Sequence, residues 1–140
     1  MDILVSSNFE RYLFDVYDRD GAALADFMAH AGKDLLSVPA ARWERVAAMF
    51  DSAAVDDDTT CEVIASVKAE NGMLLDPHSA IGVEAARRTR RDSAVPMITL
   101  ATAHPAKFSE AITAAGLASP ALPEHLADLF EREEQFSVVA

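Results

Sequence analysis

The chain has 140 residues, with 12 Lys and Arg against 23 Asp and Glu, a formal net charge of −11, and 51% of its residues are apolar. That apolar stock excludes a disordered chain and allows a modest core, in one domain or a piece of a larger one, while no run free of ionisable groups approaches the roughly 20 residues of a membrane span. So negative a charge repels phosphate backbones, and the only dense basic run, Arg87, Arg88, Arg90 and Arg91, is one helix end, which argues against nucleic-acid binding.

Taken in chain order, Asp2 to Val5 reads as a short apolar strand. Ser7 or Asn8 can cap a helix whose apolar positions Phe9, Tyr12, Leu13, Val16 and Tyr17 recur at three- and four-residue spacing, stopping near Asp18 to Gly21. A second helix is expected from Gly21 to about Ala31, with Leu24, Phe27 and Met28 on one face and Gly32 as terminator. A third follows Pro39 and is expected to bury Trp43, Val46, Ala47 and Phe50. Asp56 to Thr60 is an acidic link, and Thr59 with Glu62 has capping-box spacing ahead of Val63, Ile64 and Val67, giving a helix to about Asn71-Gly72. Asp76-Pro77 places an N-cap and a first-turn proline ahead of a helix that runs through Ile81, Val83, Ala85 and Ala86 to the arginine cluster.

Val95 to Ala101 is an apolar, partly β-branched run without alternation, the pattern of a parallel strand buried on both faces. Pro105 opens a helix over Ala106 to about Ala115, ended by Gly116. A short helix over Glu124 to Glu131 and a strand over Phe136 to Val139 complete a helix-rich α/β chain with a few strands.

Chemistry concentrates in two places. Val95 to Phe108 reads as strand, tight turn and helix start, so Thr102, His104 and the amides near Pro105 would face the crevice beyond a strand end where ligands sit in open α/β sheets. Equally, Thr102 or His104 can simply satisfy the turn and cap the helix. Asp76-Pro77-His78-Ser79-Ala80-Ile81-Gly82 puts an imidazole and a hydroxyl at a helix N-terminus, which suits an anion, or else a capped helix with a small face at Ala80 and Gly82 for close packing. Lys107 invites a Schiff-base role or is a solvated first-turn lysine. No pair among His78, His104, Asp76 and Cys61 has helical metal-ligand spacing, so no metal is expected. Cys61, as the single cysteine, gives no internal disulfide, and with no signal-type segment after Met1 a cytoplasmic setting is expected.

Three stretches in order, Met1-Asp2-Ile3-Leu4-Val5-Ser6-Ser7-Asn8-Phe9-Glu10-Arg11, Asp76-Pro77-His78-Ser79-Ala80-Ile81-Gly82-Val83 and Leu100-Ala101-Thr102-Ala103-His104-Pro105-Ala106-Lys107-Phe108, resemble threonine synthases of the long bacterial and fungal type. The resemblance covers essentially all of the chain but only the C-terminal part of that enzyme. It implies that residues 1–140 are the C-terminal portion of the large domain of a fold-type II pyridoxal-phosphate enzyme of the tryptophan-synthase β type, with mostly parallel strands flanked by helices. It further implies conversion of O-phospho-L-homoserine and water into L-threonine and phosphate. Thr102 matches the threonine whose hydroxyl meets the pyridine nitrogen of pyridoxal 5′-phosphate, while His78, Ser79, His104, Asn8 and Arg11 match positions that could line the site. In that family the Schiff-base lysine and the phosphate-holding loop lie upstream of the match, so Lys107 is not the catalytic lysine and the chain alone is expected to be inactive and to self-associate. The competing reading is a stand-alone helical interaction domain without chemistry.

Overall fold

A computed structural model of the chain describes residues 7–30 and 37–138. It divides between Ser52 and Ala53 into two compact units. In the first, α1 (Ser7–Val16), α2 (Gly21–Met28) and α3 (Ala40–Ala47) gather Leu13, Val16, Tyr17, Leu24 and Val46 into a small core. The link from α1 to α2 is tight: Asp18 and Arg19 both take positive φ, at 55° and 62°, and Asp20 then caps α2 by accepting from the amides of Ala22 and Ala23, each at 3.0 Å. The last carbonyls of α1 have no partner within the helix. One of them, that of Val16, is met by Arg42 of α3 at 3.0 Å, and the same guanidinium lies 4.2 Å from the centre of the Tyr17 ring.

The second unit is built on α4 (Asp57–Asn71) and α5 (Pro77–Thr89), with α6 (Ser109–Ala114) packed on α4. Val63, Ile64 and Val67 on one stripe of α4 meet Leu75, Ala80 and Ile112 in the core. Asp56 caps α4, accepting from the Thr59 amide at 2.8 Å, and Gly72 closes it at φ 77°, the left-handed conformation a helix C-terminus favours in glycine. Asp76 and Pro77 open α5. From Arg90 the chain turns back along α5: the Arg90 guanidinium donates to the Val95 carbonyl at 3.0 Å, Gly82 faces Thr99, and Ser79 meets the amide of Thr102.

The helices thus stand where the hydrophobic periodicity puts them, with differences that have physical causes. The cap of α4 is Asp56, and Thr59 is inside the helix as a donor to that cap, because a carboxylate one turn earlier is the stronger acceptor for the helix amides. Of the four side chains that α3 was expected to bury, only Val46 is; Trp43 is 55% exposed and Phe50 51% exposed, the latter resting on the Tyr12 ring at 4.7 Å. This helix is eight residues long, and of its side chains only Val46 reaches the small core with Leu13, Val16, Tyr17 and Leu24. Pro105 starts a 3-10 turn, Pro105–Phe108, that passes into α6, and Glu124 to Glu131 forms two separate 3-10 turns instead of one helix.

No strand is present among the described residues. Residues 95–101 have no regular structure and are mostly exposed, with Ile98 82% and Leu100 75% exposed; a strand requires a neighbouring strand to take its backbone groups, and the described chain offers none. Phe136 to Val138 is likewise without a ladder and exposed. The strand expected at Asp2 to Val5, the terminator Gly32 and Val139 lie outside the described residues.

Candidate functional site

The site is assembled at the start of α5. Pro77 at the first helical position leaves the next amides free to turn onto Asp76, whose Oδ1 accepts from the His78 amide at 3.0 Å and the Ser79 amide at 3.4 Å. The same Oδ1 lies 3.0 Å from Nδ1 of the His78 ring, and Oδ2 accepts the Ser79 hydroxyl. Asp76 and Ser79 are 1% and 2% exposed. Burial alone would raise the Asp76 carboxyl, but the hydrogen bonds from the Ser79 hydroxyl, the His78 ring and the two amides outweigh it and hold the carboxyl below its usual value. An ionised carboxylate can only accept, so the His78 Nδ1 facing it is the protonated one.

The N-terminus of α5 is therefore filled by its own carboxylate. The amides of His78 and Ser79, which sequence reading offered to an anion, are donated to Asp76 instead. The His78 ring is part-exposed and tilts against Phe108 with centres 4.9 Å apart.

From this cluster one bond reaches the second chemistry-bearing segment: the amide of Thr102 donates to the Ser79 hydroxyl at 3.2 Å. The Thr102 side chain is exposed, and its hydroxyl has no hydrogen-bond partner among the described residues. His104 uses Nδ1 to accept from the Ala106 amide at 3.2 Å, capping the 3-10 turn. Lys107 is exposed, 5.8 Å from the Phe108 ring centre. Cys61 is part-buried and unpaired with any other cysteine. So the structure brings Asp76, His78, Ser79 and Thr102 together, adds His104 two residues along the chain, and places Asn8 and Arg11 on α1 of the other unit, where Arg11 lines a shallow hollow with Ser7, Glu10, Phe14 and Leu24. Among the described residues, no three or more His, Cys, Asp and Glu side chains stand where they could hold a metal ion.

The capping role of Asp76 was legible in the sequence, but the bond from the Ser79 hydroxyl to its second oxygen was not. The signal was the hydroxyl three residues after the cap, on the face that Gly82 shares one turn later. The small face itself was legible: Ala80 is 0% exposed, and a Cβ added at Gly82 would stand 3.0 Å from the Thr99 methyl.

The family model described as threonine synthase, C-terminal, matches residues 79–140, which contain Ser79 and Thr102. Over 99% of its length the chain is 57% identical to the threonine synthase of Pseudomonas aeruginosa, and over 94% it is 35% identical to that of Corynebacterium glutamicum. The crystal structure of the PLP-bound threonine synthase from Brucella melitensis superposes on 99% of the chain with a TM-score of 0.80 at 42% identity. The chain matches the C-terminal part of threonine synthases. It spans 30% of the Pseudomonas threonine synthase, 28% of the Corynebacterium one and 30% of the Brucella chain. No described helix is long and apolar enough to cross a membrane.

Proposed function

We propose that this chain acts as the C-terminal part of a threonine synthase, which converts O-phospho-L-homoserine and water into L-threonine and phosphate in the cytoplasm, and that it supplies one wall of the pyridoxal 5′-phosphate site. The observation that carries this reading is Thr102: its backbone is tied to a buried hydroxyl while its own hydroxyl is exposed and uncommitted. A side chain held by its backbone and free at its polar tip fits a ring nitrogen that needs a single hydrogen-bond partner. Pyridoxal phosphate, when bound, supplies the electron sink for proton removal at the substrate's α- and β-carbons.

Thr102 governs how deep that sink is. A hydroxyl facing the ring nitrogen leaves it without a permanent proton, whereas a carboxylate would hold one there. A moderated sink suits successive removals, since a carbanion stabilised too far slows the next step. Ser79 holds the Thr102 amide, His78 shares Asp76 with Ser79, and His104 lies two residues after Thr102, and all three are assigned to the same wall; for Asn8 and Arg11 the assignment rests on the family resemblance. By the same resemblance the Schiff-base lysine lies on an upstream segment, so Lys107 stays a solvated side chain.

On this reading the chain is the C-terminal portion of the large cofactor domain, and residues 95–101 become a central strand once upstream strands lie beside them. The continuous apolar pattern and the exposure of Ile98 and Leu100 support that placement.

The test is a full-length chimera in which this chain replaces the matching 30% of the Pseudomonas threonine synthase. The chimera is expected to release inorganic phosphate from O-phosphohomoserine in equal amount to the threonine formed, and this chain alone to release none. A soluble, folded chimera that releases no phosphate would overturn the reading.

A further inference from the structure

We propose that Ser79 is a positioning residue: it sets the placement of the Thr102 hydroxyl at the cofactor by holding the Thr102 amide. The proposal rests on the role given to Thr102 above. A serine hydroxyl has one proton to give and lone pairs to accept with. At Ser79 the proton goes to Asp76 Oδ2, and the lone pair then faces the Thr102 amide at 3.2 Å. The orientation is fixed because Asp76, kept ionised by its hydrogen bonds, accepts and does not donate. Asp76 is in turn fixed by capping α5, so a chain of bonds runs from the helix terminus through one buried hydroxyl to the backbone of Thr102.

The placement matters because little else holds this part of the chain. Residues 95–101 make no ladder, and among the described residues their ties to α5 include the Arg90 bond to the Val95 carbonyl, the approach of Thr99 to Gly82, and, just beyond them, the Ser79 bond to Thr102. Only the last acts at the residue that bears the uncommitted hydroxyl. Neither Asp76 nor Ser79 is exposed enough to touch a ligand, so Ser79 acts through the Thr102 backbone that it holds.

The experiment is a double-mutant cycle in the full-length chimera, read by fluorescence titration of the cofactor-free protein with pyridoxal phosphate and by the absorbance of the bound cofactor, both independent of turnover. Ser79→Ala is expected to weaken binding about three- to tenfold, as loss of one hydrogen bond does, and to change the absorbance in the same direction as Thr102→Val. Ser79→Thr, which keeps the hydroxyl, restores both. In a Thr102→Val background, Ser79→Ala is expected to add nothing, because there is no hydroxyl left to position. If the two effects simply add, Ser79 acts on the fold at large and the proposal is overturned. If Thr102→Val changes both readouts and Ser79→Ala neither, the positioning role fails while the role of Thr102 stands; if Thr102→Val itself changes neither, the underlying reading fails. Should Ser79→Ala not fold, Ser79→Cys is isosteric with a far weaker hydrogen-bonding group and carries the same expectation.

Discussion

Asp76 combines 1% exposure with an ionised carboxylate, a pairing that is costly unless every lone pair is answered. Here two amides, a ring N–H and a hydroxyl answer it. Asp76→Asn replaces acceptor positions with donors facing other donors, and is expected to destabilise the second unit by about 1–3 kcal/mol. The pH dependence follows from the sign of the shift. The folded carboxyl lies below its unfolded value, so its stabilisation is complete above the ordinary carboxylate pKa of about 3.9 and fades as pH falls through the folded value. Hydrogen exchange of the α5 amides in wild type and Asp76→Asn checks this: the gap in protection should hold from neutral pH to about pH 4 and narrow only below it. A gap that closes well above pH 4 would contradict the assignment to Asp76.

Gly82 offers a second residue-level test. Alanine there gains about 1 kcal/mol of helix propensity, but its methyl meets the Thr99 methyl at 3.0 Å. Gly82→Ala alone should therefore give no net stabilisation, whereas in a Thr99→Ser background, which removes the obstructing methyl, it should raise stability by up to about 1 kcal/mol in chemical unfolding. A gain in both backgrounds would show that the approach of α5 to the 99–102 segment is looser than described.

At the scale of elements, the α4–α5 pair is where sequence and structure agree best, because everything that specifies it is local. Asp56 and Asp76 supply caps, Gly72 and Pro77 supply backbone geometry, and the Val63, Ile64, Val67 stripe supplies the buried face. Ile64 and Ile112 are both 0% exposed, so Ile64→Ala should cost about 2–5 kcal/mol and release α6 along with α5, seen as lost hydrogen-exchange protection in all three helices. Residues 95–101 show the opposite case. Their apolar run was legible as a strand buried on two faces, yet burial and pairing are properties of neighbours, and no strand stands beside them among the described residues. Trp43 and Phe50 teach the same point in the first unit: their spacing marks an apolar face without saying what covers it. The Ser79 to Thr102 bond was not legible, since it joins residues 23 apart in sequence through a hydroxyl whose pattern is that of any helix start.

For the whole molecule, large apolar side chains stand exposed, among them Ile98, Leu100, Phe130, Phe136 and Val138. The chain produced alone is expected to self-associate, with a sedimentation coefficient that rises with concentration, and to lose that behaviour within the full-length chimera. A concentration-independent monomer would argue against these residues facing a larger enzyme. The net charge of −11 works against association at low salt, so added salt should strengthen it.

The central claim is that Thr102 meets the ring nitrogen of the cofactor, and the nitrogen NMR shift of isotopically labelled pyridoxal phosphate bound to the chimera reads that contact directly. The account predicts an unprotonated ring nitrogen in the wild-type sequence and a protonated one in Thr102→Asp, where a carboxylate would hold the proton. A ring-nitrogen shift that is the same in both proteins would contradict it.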